Sequence, residues 1–177
     1  NPEELSVSDR NNIGYQYTDC PLYWISVIYL NFAEAKAEMG SLTQDDLNNS
    51  INKLQARAGL PAMTTTPDAD PANNMGVSNL IWEIRRCRRC ELIMDNWYRY
   101  WDLIRWHQLD KLDSTKYPNT MLGANVSNVP DCEEATKNGY IDASDAQIRT
   151  YEAKHYFYPI PTTQLTLNKN MKQNPGW

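Results

Sequence analysis

The sequence predicts a mainly α fold in which a helical hairpin is followed by an irregular, loop-rich C-terminal region. Three observations predict it. Apolar residues recur at helical spacing across residues 19–60, where a short polar break divides them into two helices. A third periodic block starts at Ser78. Residues 110–150 then collect Asp, Ser, Thr, Asn, Pro and Gly without a clear period, which is loop chemistry with room for a short hairpin.

Residues 1–18 are polar, contain Asn11-Asn12 and Gly14, and read as an extended lead-in. A helix is expected to begin near Asp19 to Pro21, because Asp caps well and Pro is tolerated in the first turn, and to run to Met39 before Gly40. Leu22, Ile25, Tyr29, Phe32 and Ala33 share one face. Trp24, Val27, Ile28 and Leu30 cover most of the rest of its first half, and a helix apolar nearly all round is normally buried on several sides. The next helix opens on Thr43 and Asp46 in capping-box spacing, carries Leu47, Ile51, Leu54 and Ala58 as a stripe, and stops at Gly59 and Pro61. The pair forms an αα-hairpin over 19–60, the shape of one tetratricopeptide-like unit. No second copy follows at the period of about 34 residues that such arrays need, so its covering partners are expected upstream of Asn1.

Residues 61–75 form a polar loop rich in Thr, Pro, Asp and Asn. The third helix is expected from Ser78 to about Asp95, with Leu80, Ile84, Cys87 and Met94 along a seam. Glu91 falls on the same seam, and a carboxylate there needs a partner; Arg88, three residues earlier, is the nearest candidate. Asn96 marks a turn before the aromatic and charged segment Trp97 to Trp106. Tyr156-Phe157-Tyr158-Pro159-Ile160-Pro161 is held extended by its prolines. Thr162 or Thr163 then caps a brief helix to Leu167, and the chain ends in Asn174-Pro175-Gly176-Trp177.

The composition excludes several functions. A net charge of −5 argues against binding nucleic acid, which needs a basic face. The longest apolar stretch, Leu22 to Phe32, is far below the ~20 residues of a membrane-spanning helix. Four Cys at irregular spacing and two His make neither a disulfide framework nor a zinc set, so no metal and no cofactor are expected. Cys87 and Cys90 lie mid-helix among arginines and read as two small packed thiols. The run Arg85-Arg86-x-Arg88-Arg89 stands beside acidic residues and reads as an ion-pair network. His107 and His155 lack a nucleophile in recognisable context, no G-x-S-x-G occurs, and Asp45-Asp46 and Glu133-Glu134 read as helix-start or solvated charges. Tyr and Trp are abundant, with 11 and 6 copies against 2 Phe. Their flat faces and polar edges suit sugar stacking and core packing alike.

Four stretches resemble the SusD/RagB family of outer-membrane nutrient-binding lipoproteins, and specifically its C-terminal part. They are Tyr29-Leu30-Asn31-Phe32-Ala33-Glu34-Ala35 with Leu54-Gln55-Ala56-Arg57-Ala58-Gly59-Leu60-Pro61; Ile84 through Leu92; Arg99 through Trp106; and Tyr158-Pro159-Ile160-Pro161 with the Gln173-Asn174-Pro175-Gly176-Trp177 tail. The resemblance implies a SusD-like fold of which 1–177 is the C-terminal part and the N-terminal part is absent, with the hairpin at 19–60 and the helix and loop region at 78–177. It implies a non-catalytic protein at the bacterial cell surface that binds a polysaccharide, oligosaccharide or peptide and delivers it to a SusC-like TonB-dependent transporter. Membrane attachment would come only through an N-terminal lipid anchor. Within such a role, Tyr117, Asn119, Tyr140 and Trp97 are the candidate ligand contacts, since aromatic faces desolvate a sugar ring while amides take its hydroxyls. A tetratricopeptide-like protein-interaction scaffold and a glycan hydrolase module are the rival readings.

Overall fold

A computed structural model of the chain describes residues 23–94, 98–130, 135–137, 139–142 and 147–177. It divides into two units at the Ile93–Met94 bond.

In the first unit, helix α1 spans Ile25–Glu38. Trp24 precedes it in extended conformation, and the expected start at Asp19 to Pro21 lies outside the described residues. It ends as expected. Gly40, at φ +65°, lets the Ser41 N–H reach back to the Lys36 carbonyl at 2.9 Å. The buried face is Val27, Leu30, Ala33 and Glu34, while Ile25 and Phe32, which the sequence places on one face with Ala33, are exposed. The reason lies in the partner helix, which offers apolar residues and a guanidinium to the Leu30–Glu34 side.

The second helix of the hairpin is two helices, α2 over Gln44–Asn48 and α3 over Ile51–Arg57. Thr43 and Asp46 do form the capping box, with the Thr43 N–H donating to Asp46 Oδ2 at 2.9 Å and the Asp46 N–H to Thr43 Oγ1 at 3.1 Å. The break follows at Asn49-Ser50. There the Ser50 hydroxyl donates to the Asp46 carbonyl at 2.6 Å and the Asn49 amide to the Asp45 carbonyl at 3.0 Å, while Ser50 itself takes φ −132°, ψ −99°. Short polar side chains bonded to nearby backbone compete with the helical ladder. Leu47, Ile51 and Leu54 still form the buried stripe, and Ala58, already the C-cap, is exposed.

Asn52 secures the following loop. Its Oδ1 accepts the Met63 N–H at 2.7 Å and its Nδ2 donates to the Met63 carbonyl at 3.1 Å, which holds the Met63 side chain in the core. A second tie joins Asp70 to Trp82, whose indole N–H donates to Asp70 Oδ2 at 2.9 Å.

Helix α4, Asn79–Glu91, is capped by Ser78 and packs on α1 through Ile81 and Ile84. This pairing places it with the hairpin and not with the C-terminal region. Three of its four arginines are engaged: Arg85 reaches Glu34 at 3.2 Å and Glu38 at 3.1 Å, Arg86 reaches Glu83 at 2.7 Å, and buried Arg88 donates to Asn31 Oδ1 at 2.8 Å. Glu91 is therefore not paired with Arg88. A single nitrogen of Arg57, Nη2, lies 2.7 Å from both of its oxygens. Arg88 lies one turn beyond Ile84 on the α1 side, whereas Glu91 meets the end of α3. Burial, reinforced by the nearby Glu91 charge, pushes the Cys87 thiol up to about 11, so it stays protonated. Cys87 and Cys90 are both free. The helix ends at Glu91, short of Asp95, and Met94 turns the chain at φ +64°.

In the second unit, helix α5 spans Tyr98–Arg105. It closes in a Schellman motif, with the Gln108 N–H on the Leu103 carbonyl at 2.7 Å, the His107 N–H on the Ile104 carbonyl at 3.1 Å, and His107 at φ +52°. Short 3₁₀ turns follow at Leu109–Leu112 and Pro118–Met121. Where a short hairpin was expected there is a three-stranded antiparallel sheet, β1 (Leu122–Asn125), β2 (Ala135–Lys137) and β3 (Tyr140–Asp142), in the order β1-β3-β2. A third 3₁₀ turn, Ala153–Tyr156, leads to the extended Tyr158–Pro161 segment and to α6, Thr162–Leu167. Neither Thr162 nor Thr163 caps α6. Pro161 occupies that position, and both threonines lie inside the helix.

Candidate ligand-binding cleft

Two clefts stand out among the described residues, one in each unit. The first, about 520 Å³, is lined by Gln55, the Leu60–Thr64 strand of loop, Thr66–Asp68, Glu83 and Arg86. It has no aromatic wall. The second, about 350 Å³, lies within the second unit and is built of rings: Tyr100, Tyr151, His155, Phe157, Tyr158 and Trp177, with Leu109, Leu112, Arg149 and Thr150. A ligand with an apolar face and a hydroxylated edge finds both halves of its chemistry in the second.

Local sequence explains how these rings come together. Tyr100 rides on α5, and its hydroxyl lies 3.4 Å from that of Tyr158. The prolines after Tyr158 and Ile160 keep that strand extended, and Gln173 completes it as if it were a neighbouring strand: its Oε1 accepts the Ile160 N–H at 2.8 Å and its Nε2 donates to the Ile160 carbonyl at 2.9 Å. Asn174 donates to the Tyr158 carbonyl at 2.7 Å. The tail then turns at Gly176, φ +90°, where a Cβ would meet Lys154 Cβ at 2.9 Å. Trp177 follows, its indole N–H shared between the carbonyls of Phe157 at 2.9 Å and Lys154 at 3.2 Å. The Lys154 ammonium sits 5.2 Å above the Trp177 ring.

The opposite wall depends on Asp113, a buried carboxylate. Its Oδ1 accepts from the Thr115 N–H at 2.9 Å and from the Thr115 hydroxyl, and its Oδ2 accepts the Tyr151 N–H at 3.1 Å. Beside it, the Ser114 N–H donates to the Arg149 carbonyl at 2.9 Å while the Arg149 N–H donates to Ser114 Oγ at 3.0 Å. The Thr115 hydroxyl, with help from the Tyr151 and Thr115 backbone, holds the Asp113 carboxyl below its ordinary 3.8.

Protonation in the cleft is simple. Burial, then the hydrogen bond with Tyr156, pushes the Tyr151 phenol up to about 12, and the bond with Tyr158 raises that of Tyr100. Both remain neutral donors at neutral pH. His155 accepts the Glu152 N–H on Nδ1 at 3.0 Å, which leaves its proton on Nε2.

Tyr117, Asn119 and Tyr140, three of the residues singled out as ligand contacts, do not line this cleft. Tyr117 and Asn119 belong to the Pro118–Met121 turn and its approach, where the Lys111 ammonium donates to the Tyr117 hydroxyl at 2.9 Å and lies 4.7 Å from its ring. Tyr140 is on β3, opposite Asn125 and Lys137. Trp97 lies outside the described residues. The ring cluster that does form comes from the Tyr98–Arg105 helix and the 151–177 segment, and Arg149 carries no local sequence signal. Only the density of Tyr and Trp across 151–177 points to it.

A model of the SusD family matches residues 5–177. Among solved structures, the fold is similar to that of a SusD-like protein from Bacteroides fragilis NCTC 9343, with a TM-score of 0.59 and 25% sequence identity, over 86% of this chain and 25% of that one. The chain thus spans about a quarter of the length of this solved relative. No curated protein matches it in sequence.

Proposed function

Since this chain belongs to the SusD family, we propose that it is part of a non-catalytic surface protein that binds a glycan, or a peptide, and passes it to a SusC-like TonB-dependent transporter. The observation that carries this reading is the ring-lined cleft of the second unit. Tyr158 and Phe157 are 65% and 56% exposed there, so their faces are available to a sugar ring or a peptide side chain. Tyr117, Asn119 and Tyr140, on the excursion that starts at Ser114, are proposed as secondary contacts. The tetratricopeptide-like scaffold is the weaker reading, because the hairpin is a single unit and the cleft is not in it. Attachment to the outer membrane through a lipid belongs to the same proposal; no helix among the described residues is long and apolar enough to cross a membrane.

Calorimetry on the full-length protein with a panel of oligosaccharides and peptides tests the proposal. Reversible binding without turnover is the expected result, and Tyr158→Ala should weaken it by ~1–3 kcal/mol if its ring stacks on the ligand. Reducing ends released from an oligosaccharide by the purified protein would overturn the non-catalytic reading.

A further inference from the structure

We propose, resting on the reading that the second unit's cleft binds a glycan, that this glycan is anionic and that the Arg149 guanidinium selects its charge. The lining of the cleft carries a guanidinium and no carboxylate. Its polar groups come from Arg149, Thr150, His155 with the proton on Nε2, and three tyrosines, and no Asp or Glu side chain lines it. That absence is informative because the chain carries 22 Asp and Glu against 17 Lys and Arg. Neutral sugars present donors and acceptors in equal measure, and aspartates and glutamates are the usual acceptors for sugar hydroxyls. A site with a guanidinium and no carboxylate matches a ligand that carries negative charge.

Arg149 adds the charge. Arg57, Arg85, Arg86, Arg88 and Arg105 each give their guanidinium to a protein acceptor. Arg149 does not, and neither does exposed Arg89, which lines neither cleft: the bonds of Arg149 are made by its backbone to Ser114, and its guanidinium has no hydrogen bond or ion pair among the described residues. The main chain is therefore fixed beside the rings while the fork of N–H groups is left to a ligand. Lys154 is unlike it, being paired with Glu152 at 3.1 Å. A guanidinium matches a carboxylate or a sulfate with two parallel bonds, and exposed Arg149 can offer them at the rim of the cleft.

The test uses the full-length protein and four probes: trigalacturonate, its fully methyl-esterified form, a sulfated disaccharide and its desulfated form. The ester keeps shape and rings but loses charge. The expected result is binding of at least one anionic probe about tenfold tighter than its neutral counterpart, a preference that shrinks as salt is raised. Arg149→Gln should bring the ratio close to one and Arg149→Lys should retain part of it, with thermal melts confirming that both variants fold. Equal affinity for charged and neutral forms, or a preference indifferent to Arg149→Gln, would overturn the inference and leave glycan binding standing. No binding of any probe or of neutral oligosaccharides would sink the glycan reading together with it. An Arg149-dependent preference for acidic peptides alone would assign the cleft to a different ligand class.

Discussion

At the scale of single residues, two glutamates of similar appearance in sequence have unequal weight. Glu34 is only 2% exposed and pairs with Arg85, whose side chain is itself largely buried. Removing Glu34 leaves the largely buried Arg85 with the half-exposed Glu38 as its counter-charge, so Glu34→Gln should cost about 2–4 kcal/mol in urea unfolding. Glu91, the carboxylate the sequence singles out, pairs with an Arg57 whose side chain is 66% exposed. Glu91→Gln should cost about 1 kcal/mol or less, and a loss as large as that of Glu34→Gln would show that the Arg57 pair is shielded from water. Asp113 is a third case, visible through pH. Its carboxyl is held below 3.8 in the folded state, so the folded protein takes up that proton less readily than the unfolded chain. Its contribution is complete above about pH 4 and is lost as pH falls through the lower folded value. Asp113→Asn should flatten that acid limb and speed hydrogen exchange at the Tyr151 amide.

At the scale of elements, the helices were legible and their interruptions were not. The Gly40 and Gly59 stops, the Thr43 capping box and the Ser78 cap are local signals, and all are present. The break at Asn49-Ser50 is also local in mechanism, but the apolar stripe runs through it without a gap. Asn52 is the opposite kind of miss: its partner is eleven residues away in sequence, and no periodicity announces a buried amide that bonds a loop. Asn52→Ala should therefore cost about 1–3 kcal/mol by leaving the Met63 N–H and carbonyl unsatisfied, whereas Asn49→Ala, at an exposed position, should fall within about 0.5 kcal/mol of the parent. Equal losses would mean that the loop is not held by Asn52. Strands β1 to β3 were read as no more than a possible hairpin, because three or four residues are too few to display alternation.

At the scale of the whole molecule, α1 keeps an apolar strip in water, with Ile25 at 62%, Ile28 at 55% and Phe32 at 43% exposure. The chain of 177 residues expressed alone should self-associate or unfold over a broad urea range, and Ile25→Lys with Ile28→Glu should reduce that association. A monomeric, cooperative transition in the unaltered chain would contradict this. The sequence conveyed the excess of apolar surface on this helix and the expectation of burial on several sides, but not which residues the neighbour covers, since a helix apolar on several faces does not reveal which face its neighbour takes. The cleft was still less legible, because its rings come from α5 and from 151–177 and meet only once the fold is made. The reciprocal bonds between Ser114 and Arg149 have an evolutionary consequence. They fasten the excursion at its two ends, so the segment beyond Thr115 could vary in length at little cost: doubling the length would add only about 0.6 kcal/mol of closure entropy. Descendants of one ancestor could exchange that segment, and with it the surface next to the cleft, without rebuilding the walls on which the rings are mounted.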